Sequence, residues 1–398
     1  MSPRPRASYQ YVDNDAAVES LIRRMELARR VALDTEADSL HHYFQKVCLL
    51  QLTIDGENYI VDPLSGTDLE PFLRVLADKS LILHGGDYDL RMMRLSFGFR
   101  PKNEVFDTLL AAQLLGYEQL GLVSLVEHFF DVPLTKHGQK SDWTRRPLTG
   151  EQLQYASDDT RYLEPLANRL HAELHKLGRD EWHRESCERM VRSTGNQSNR
   201  NPEEAWRIKG LRFLDRRQLA LVRELWHWRE REAIKANRPP FKIMGNQRIV
   251  ELAIWASEHR KTSLRRGPKL PRHCTGQRFK ALEKAVHKAL SLPESEWPDH
   301  RKPKPQIESV PDFKPQMRLL REECARIAGE LGIDPAVIAS RATLAAVVRN
   351  RPRTEKETMA LSSMMRWQVK LLKPAIDRIM ATLADELRNV EPETHPGT

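Results

Sequence analysis

Apolar and polar residues follow two different periods in the first half of the chain. Short apolar runs, typical of buried strands, are separated by longer stretches in which apolar residues recur every three or four positions, typical of helices. The predicted strands lie at Tyr9–Val12, around Asp34, and at Val47–Ile54, Asn58–Val61, Leu81–Leu83 and Val105–Phe106. The predicted helices span about 15–30, 68–77, 87–97, 108–116, 121–130 and one long segment from Leu148 to about Leu177. This order predicts an α/β unit, and the close spacing of the early strands predicts hairpins and a mixed sheet.

The second half of the chain has the helical period and is interrupted by polar and Pro-rich segments. A polar linker is predicted at Thr194–Pro202, and the Pro-rich stretch Pro293–Pro315 separates two helical units. The predicted organisation is an α/β domain at 1–195, a helical domain at 203–290, a linker at 291–315 and a second helical domain at 316–392.

The most informative segment is Val31–Glu36, where three apolar residues run directly into Asp34, Thr35 and Glu36. In a strand, positions i and i+2 point to the same face, so Asp34 and Glu36 are expected side by side, about 7 Å apart. Two such acids repel each other unless a cation lies between them, and hard oxygen ligands suit Mg²⁺ or Mn²⁺. An acidic turn at a strand end is the alternative interpretation of this segment alone.

Two later segments place further polar groups where they can converge on these acids. Asp89 follows the strand Leu81–Leu83 and lies in the first turn of the next helix, where interaction with the helix dipole is the alternative role. Its neighbour Asp87 is an alternative candidate and can instead cap that helix. On the long helix, Tyr155 and Asp159 are four residues apart and share one face, although a Tyr at this spacing is also typical of a core.

Composition and the distribution of charge indicate what class of protein this is. The chain of 398 residues carries a net charge of +9 and is 30% charged and 40% hydrophobic, with no apolar run long enough to cross a membrane. Residues 1–200 hold 25 Lys and Arg against 30 Asp and Glu, whereas residues 201–398 hold 39 against 25. This asymmetry predicts a metal site joined to a polyanion-binding surface, or alternatively a solvated basic face.

A cytoplasmic location is predicted from two features. No apolar segment follows Met1–Arg6, so no secretory signal is expected. The four cysteines are scattered without a Cys-x-x-Cys pair, which favours reduced thiols in a cytosol over a zinc site.

Taken together, the motifs Asp34-Thr-Glu36, His84-Gly-Gly-Asp-Tyr-Asp89 and Tyr155-x-x-x-Asp159 resemble those of the DEDD superfamily of 3′→5′ exonucleases. The spacing from His84 favours Asp89 over Asp87. A sister subgroup has His five residues before the last Asp, where this chain has Gln154, so the resemblance is to the subgroup with a catalytic tyrosine. Further segments resemble ribonuclease D: Val47–Leu52, Val105–Thr108 and Gln139–Leu148. The resemblance covers about residues 8–175 and implies a ribonuclease H-like mixed-sheet domain.

The helical half resembles HRDC domains, which are small nucleic-acid-binding modules. The segments that carry this resemblance are Arg217–Ala220, Leu225–Glu230, Arg238–Pro240 and Ile249–Ala253. Between Arg260 and Lys288 there are ten Lys or Arg and one Glu, and phosphates are the expected partner of such density. Ribonuclease D typically carries two such modules after the nuclease domain, in the order predicted here.

The resemblance implies a metal-dependent 3′→5′ exoribonuclease that releases 5′-mononucleotides and trims the 3′ ends of tRNA precursors with a single-stranded tail. The implied ligands of two Mg²⁺ or Mn²⁺ ions are Asp34, which bridges them, Glu36, Asp89 and Asp159, while Tyr155 orients the attacking water. Two alternatives stay open: a 3′→5′ exodeoxyribonuclease in DNA repair, and a nucleic-acid-binding protein without catalysis.

Overall fold

The structure, a computed structural model, describes residues 8–134, 138, 141–195, 202–300 and 313–388. Gln139 and Lys140 of the predicted motif, and parts of both predicted linkers, therefore lie outside the described residues. The strands of the N-terminal unit are β1 (Tyr9–Val12), β2 (Arg30–Ala37), β3 (Val47–Ile54), β4 (Glu57–Val61), β5 (Ser80–Leu83) and β6 (Val105–Asp107). Its helices are α1 (Asp15–Leu27), α2 (Glu70–Ala77), α3 (Asp87–Phe97), α4 (Thr108–Leu115), α5 (Leu122–Phe130), α6 (Gly150–Arg161), α7 (Leu163–Lys176) and α8 (Asp180–Thr194).

These strands form one mixed sheet in the order β1-β4-β3-β2-β5-β6. The β2–β3 and β3–β4 pairs are antiparallel, whereas β1–β4, β2–β5 and β5–β6 are parallel. The predicted mixed sheet is thus confirmed, with β2 and β3 at its centre. All eight residues of β3 are buried, as expected for a central strand covered on both faces.

Alternate residues of the central strands pack against different helices. Leu33 and Leu50 lie in a core with residues of α1, α2 and α3. On the other face, Ala32 packs with residues of α7, and Leu49 packs with Ala156 of α6. The period of two along β2 therefore directs even-numbered side chains towards α6 and α7 and odd-numbered ones towards α1–α3.

The single long helix predicted from Leu148 to Leu177 is wrong, because the structure has two helices that meet at Tyr162. Pro165 is the third residue of α7. It has no N–H to bond the carbonyl of Arg161, and its ring would clash with that carbonyl in a continuous helix. The predicted start is confirmed, since Thr149 and Gln152 form a capping box.

The C-terminal half consists of two helical units. The first contains α9 (Arg216–Ala236), α10 (Pro240–Ile243), α11 (Asn246–Glu258) and α12 (Gly276–Ser291). The second contains α13 (Phe313–Leu331), α14 (Pro335–Ile338), α15 (Arg341–Asn350), α16 (Glu355–Ser362) and α17 (Arg366–Arg388). Both units begin with a long helix, a one-turn helix and a shorter helix, which is the arrangement expected of a repeated module.

Residues after α12, assigned to the linker from the sequence, return to the first helical unit. Arg216 of α9 donates a hydrogen bond to the carbonyl of Trp297 at 3.1 Å, and the guanidinium of Arg217 lies 5.1 Å from the centre of the Trp297 ring. We therefore propose that the first helical unit extends to about residue 300 instead of 290.

The second helical unit packs against α4 and α8 of the N-terminal unit. Arg179 is buried and donates hydrogen bonds of 2.6 Å to the carbonyls of Leu114 and Leu331, which belong to the two different units. The rings of Trp182 and Trp367 stack with their centres 4.7 Å apart. These contacts attach the C-terminal end of the chain directly to the α/β unit.

Two further expectations concern thiols and membranes. All four cysteines are free and buried. Among the described residues, no helix combines the length and apolar character that crossing a membrane requires.

Candidate active site

Strand β2 places Asp34 and Glu36 on the sheet face that α6 covers. One carboxylate oxygen from each of these residues and one from Asp159 of α6 lie within 4.8 Å of one another. All three side chains are partly exposed, so an ion from solvent can reach them. The register of β2 shifts directly after Glu36, which ends the regular pairing with β3 at the edge of the cluster.

Helix α6 supplies Tyr155 and Asp159 from successive turns. Its capping box fixes where the helix begins. The hydroxyl of Thr53 on β3 donates a 2.8 Å hydrogen bond to the hydroxyl of Thr160, which holds the helix against the sheet. The Tyr155 hydroxyl and the Asp159 carboxyl lie close enough to shift each other's pKa. The Tyr155 ring lies 6.1 Å from the ring of Trp143, which is buried. The predicted i, i+4 pair therefore faces the acids of β2.

Asp89 approaches the same carboxylates from α3, on the other face of the sheet. The residue is 7% exposed, and its carboxylate accepts a 2.6 Å hydrogen bond from the hydroxyl of Thr35. Asp89 does not belong to the group within 4.8 Å, but its charge is among those that raise the pKa of Asp34. The structure thus brings it beside the cluster formed by Asp34, Glu36 and Asp159.

The turn before α3 is fixed by a buried carboxylate on a neighbouring strand. Asp107, at the end of β6, accepts a 2.7 Å hydrogen bond from the backbone N–H of Gly86. A Cβ atom at Gly86 would lie 2.8 Å from Cβ of Leu83, so only glycine fits this close approach. Asp107 and Gly86 together position the first turn of α3, and with it Asp89.

The two acids of this turn have different surroundings. The Asp87 side chain is 51% exposed and pairs with Arg91 one turn further along α3. The helix cap position is Gly86, and no side chain caps it, so the expectation that Asp87 caps the helix is wrong. Burial and contact with Thr35 favour Asp89 as the residue of the cluster.

The acids carry strongly perturbed pKa values. Burial, followed by the charges of Asp89, Asp159 and Glu36, raises the pKa of Asp34 well above its ordinary range. Burial and the neighbouring carboxylates raise the pKa of Glu36 to about 9. Burial is also the main reason why the pKa of Asp159 rises to about 7 and that of Asp89 to about 6. Without a cation the cluster therefore holds protons near neutral pH.

Burial and the nearby carboxylates also raise the pKa of Tyr155 above its usual range, so its hydroxyl stays protonated. A protonated phenol donates a hydrogen bond and is a poor general base at neutral pH. This agrees with the orienting role that the resemblance implies.

Three residues at the site were not assigned a role from the sequence. Thr35 holds Asp89, and Asp107 holds the preceding turn, as described above. Gln51 lies opposite Asp34 in the β2–β3 pairing, is fully buried, and its amide forms no hydrogen bond with the described residues. The position of Thr35 could have been predicted from the sequence. It lies between two acids of a strand, so its side chain points to the opposite face of the sheet, where α3 packs.

Comparison with known proteins places the chain in a family. A family model for 3′-5′ exonucleases matches residues 9–175, and one for the HRDC domain matches residues 218–258. Ribonuclease D of Pseudomonas paraeruginosa is 31% identical over 345 residues, which cover 86% of this chain and 89% of that protein. The chain belongs to the ribonuclease D family. Ribonuclease D of Haemophilus influenzae is 30% identical over 346 residues, which cover 86% of this chain and 85% of that protein.

A solved structure supports the same assignment. The chain superposes on Escherichia coli RNase D with a TM-score of 0.69 and 25% identity, over 94% of this chain and 99% of that one. That protein is described as an exoribonuclease involved in structured RNA processing. The predicted fold class is confirmed, and the chain is a 3′→5′ exoribonuclease with an HRDC domain.

The raised pKa values predict how stability depends on pH when no metal is bound. The unfolded chain ionises these carboxyls near pH 4, whereas the folded cluster keeps its protons to higher pH, so stability falls as pH rises from about 5 to 9. Asp34→Asn removes one of the repelling charges. We expect it to stabilise the metal-free protein by about 1–3 kcal/mol at pH 8 and to flatten the pH profile, measured by chemical denaturation in EDTA.

Asp87→Asn is the matched control, because Asp87 is exposed and paired with Arg91. This substitution should change the free energy of unfolding by less than about 1 kcal/mol, both at about pH 5 and at about pH 8. An Asp34→Asn variant with the same pH profile as the unsubstituted protein would show that the acids do not repel one another.

Proposed function

We propose that this exoribonuclease shortens RNA from an unpaired 3′ end, one nucleotide at a time, and releases 5′-mononucleotides. The observation that carries this proposal is the cluster of Asp34, Glu36 and Asp159, from each of which one carboxylate oxygen lies within 4.8 Å of the others. Asp89 and Tyr155 lie beside this cluster. Among the described residues, the site offers carboxylate oxygens, which are the groups that hydrolysis by a metal-activated water requires.

The donor set fits divalent cations. Carboxylate oxygens are the ligands that Mg²⁺ and Mn²⁺ prefer, and a cation would relieve the repulsion that raises the pKa values of the cluster. We propose that Asp34, Glu36 and Asp159 hold one ion, and that Asp34 and Asp89 hold a second. When bound, such ions lower the pKa of a coordinated water and stabilise the charge that develops on the phosphate.

Tyr155 is proposed to orient the attacking water. Its hydroxyl stays protonated and lies beside Asp159. When a cation binds the Asp159 carboxylate, the single hydrogen of this hydroxyl can be donated to a water at the edge of the cluster. The ring is held by the neighbouring Trp143, which limits the positions that the hydroxyl can take. Placing the nucleophile in this way contributes to the rate through orientation.

The first helical unit is proposed to hold the body of the RNA through phosphates. Not every cation of the basic stretch is available, since Arg278 pairs with Glu232 and Lys288 pairs with Glu224, each at 2.9 Å. Others, such as Lys269, form no ion pair with another described residue. A tRNA precursor, with a structured body and an unpaired 3′ extension, has the two parts that this arrangement requires.

A hairpin RNA with a short 3′ tail, labelled at its 5′ end, tests the proposal. With Mg²⁺ we expect a ladder that shortens nucleotide by nucleotide and stops near the stem, because each further step must open a base pair at about 1–2 kcal/mol. EDTA should abolish the ladder. A DNA hairpin of the same sequence is the matched substrate and should be shortened more slowly. Internal cuts, or release of the label as a mononucleotide at the start, would contradict the proposal.

Removing the Tyr155 hydroxyl separates orientation from metal binding. Tyr155→Phe should lower kcat by about 10- to 100-fold, because the water loses its orienting hydrogen bond. The stabilisation that Mn²⁺ adds in thermal unfolding should persist, since the carboxylates are unchanged. Tyr162→Phe is the control, as Tyr162 packs against Phe130 on the same stretch of chain. If the stabilisation by Mn²⁺ disappears in Tyr155→Phe, the hydroxyl instead holds the carboxylates together.

A further inference from the structure

The second helical unit contains a groove that the family comparisons do not assign. It lies between α13, α14 and α15 and has a volume of about 910 Å³. The HRDC model matches residues 218–258, which belong to the first helical unit. This volume falls within the range of pockets that bind organic ligands.

The floor of the groove is apolar. Met317 on α13 and Leu344 and Ala345 on α15 are buried residues of the unit's own core whose surfaces line the groove. The Phe313 ring lies at one end, with the guanidinium of Arg349 5.5 Å from its centre. Of the described residues, Phe313 is the one aromatic residue that lines the groove, and a nucleobase can stack on a ring of this kind.

Both walls of the groove carry exposed cations. Lys314, Arg318 and Arg321 lie on one stripe of α13, since positions i, i+4 and i+7 share a face of a helix. Arg341 and Arg349 lie on the facing helix α15, one at its start and one near its end. The apolar floor is therefore bordered by two rows of positive charge.

The acids of the groove do not neutralise these rows. Five basic and two acidic residues line it. Asp334 accepts a 2.7 Å hydrogen bond from the backbone N–H of Ala336 and so caps α14. Glu322 lies 3.9 Å from Arg318. Arg321 and Arg341 form no ion pair with any other residue that the structure describes, so both are available to an anionic ligand.

We propose that this groove binds a single-stranded segment of the RNA substrate, with bases on the apolar floor and phosphates on the two rows of cations. The proposal rests on the exoribonuclease function, which supplies a ligand that is both flat and polyanionic. Because Arg179 joins the second helical unit to the α/β unit, RNA held in this groove is held at a fixed distance from the carboxylate cluster. The groove therefore extends the RNA-binding surface beyond the first helical unit.

The test compares two double variants of the full chain that remove equal charge. Arg321→Ala with Arg341→Ala removes two cations from the groove. Arg326→Ala with Lys356→Ala removes two exposed cations elsewhere in the same unit, where Arg326 pairs with Glu323 and Glu330. The probe is a fluorescein-labelled hairpin RNA with a long 3′ tail, and affinity is measured by fluorescence anisotropy in EDTA, which prevents hydrolysis.

The groove variant should bind this RNA about 3- to 10-fold more weakly than the control variant at the same salt concentration. Its slope of log affinity against log salt should be shallower by about 1, because fewer phosphates are neutralised. Equal affinity and equal slope for the two variants would overturn the proposal and leave the groove to another ligand, such as an acidic protein segment. The proposed function would still stand if the unsubstituted protein shortens the RNA.

A second measurement does not depend on any substitution. RNA carrying 4-thiouridine in its tail, irradiated in complex with the unsubstituted protein, should crosslink to peptides from residues 313–349. Crosslinks confined to the α/β unit and the first helical unit would overturn the proposal, whatever the variants show.

Discussion

Mutual repulsion among closely spaced carboxylates is the constraint on which the rest of this structure depends. Asp34, Glu36, Asp89 and Asp159 come from three separate elements, and burial and neighbouring charges work against their ionisation. A chain keeps such a cluster only if its scaffold holds the acids together more strongly than they repel. The repulsion among the acids then favours the binding of a cation, which replaces the protons of the cluster.

The scaffold meets this requirement through rigid parts. Strand β2 lies between two hydrogen-bonded neighbours at the centre of the sheet, so Asp34 and Glu36 cannot move apart. Helix α6 begins at a capping box and is tied to β3, while Asp107 fixes the turn before α3. Both helical units contact the same α/β unit. Arg179 binds the second unit, and the backbone N–H of Tyr43 donates a 3.1 Å hydrogen bond to the side chain of Asn237 in the first. RNA bound to these units would therefore have a defined position relative to the acids.

The periodicity of strands and helices predicted which of the site residues share a face, because this property depends only on neighbouring residues in the sequence. The period of two places Asp34 and Glu36 on one face, and the helical period places Tyr155 above Asp159. The mixed sheet followed from the spacing of the strands. The break at Tyr162 was readable too, since Pro165 cannot continue a helix. The predicted long helix did not include this break, because the helical period of apolar residues continues on both sides of Tyr162.

Contacts between distant segments could not be read from the sequence. The bond from Thr35 to Asp89 depends on how α3 packs against β2, and the bond from Arg179 to Leu331 joins segments far apart in the chain. The return of Trp297 to α9 likewise depends on tertiary packing, in a segment whose composition is typical of a linker. Asp87 and Asp89 differ in burial, which spacing alone does not determine.

The most direct measurement is diffraction from crystals soaked in Mn²⁺, with anomalous differences collected at the manganese edge. If the carboxylate cluster is a metal site, an anomalous peak will lie about 2.1 Å from oxygens of Asp34, Glu36 and Asp159. A second peak beside Asp34 and Asp89 is expected at higher Mn²⁺ concentration. Crystals that show no peak at these carboxylates, or a peak only at exposed acids such as Asp87, would contradict the account.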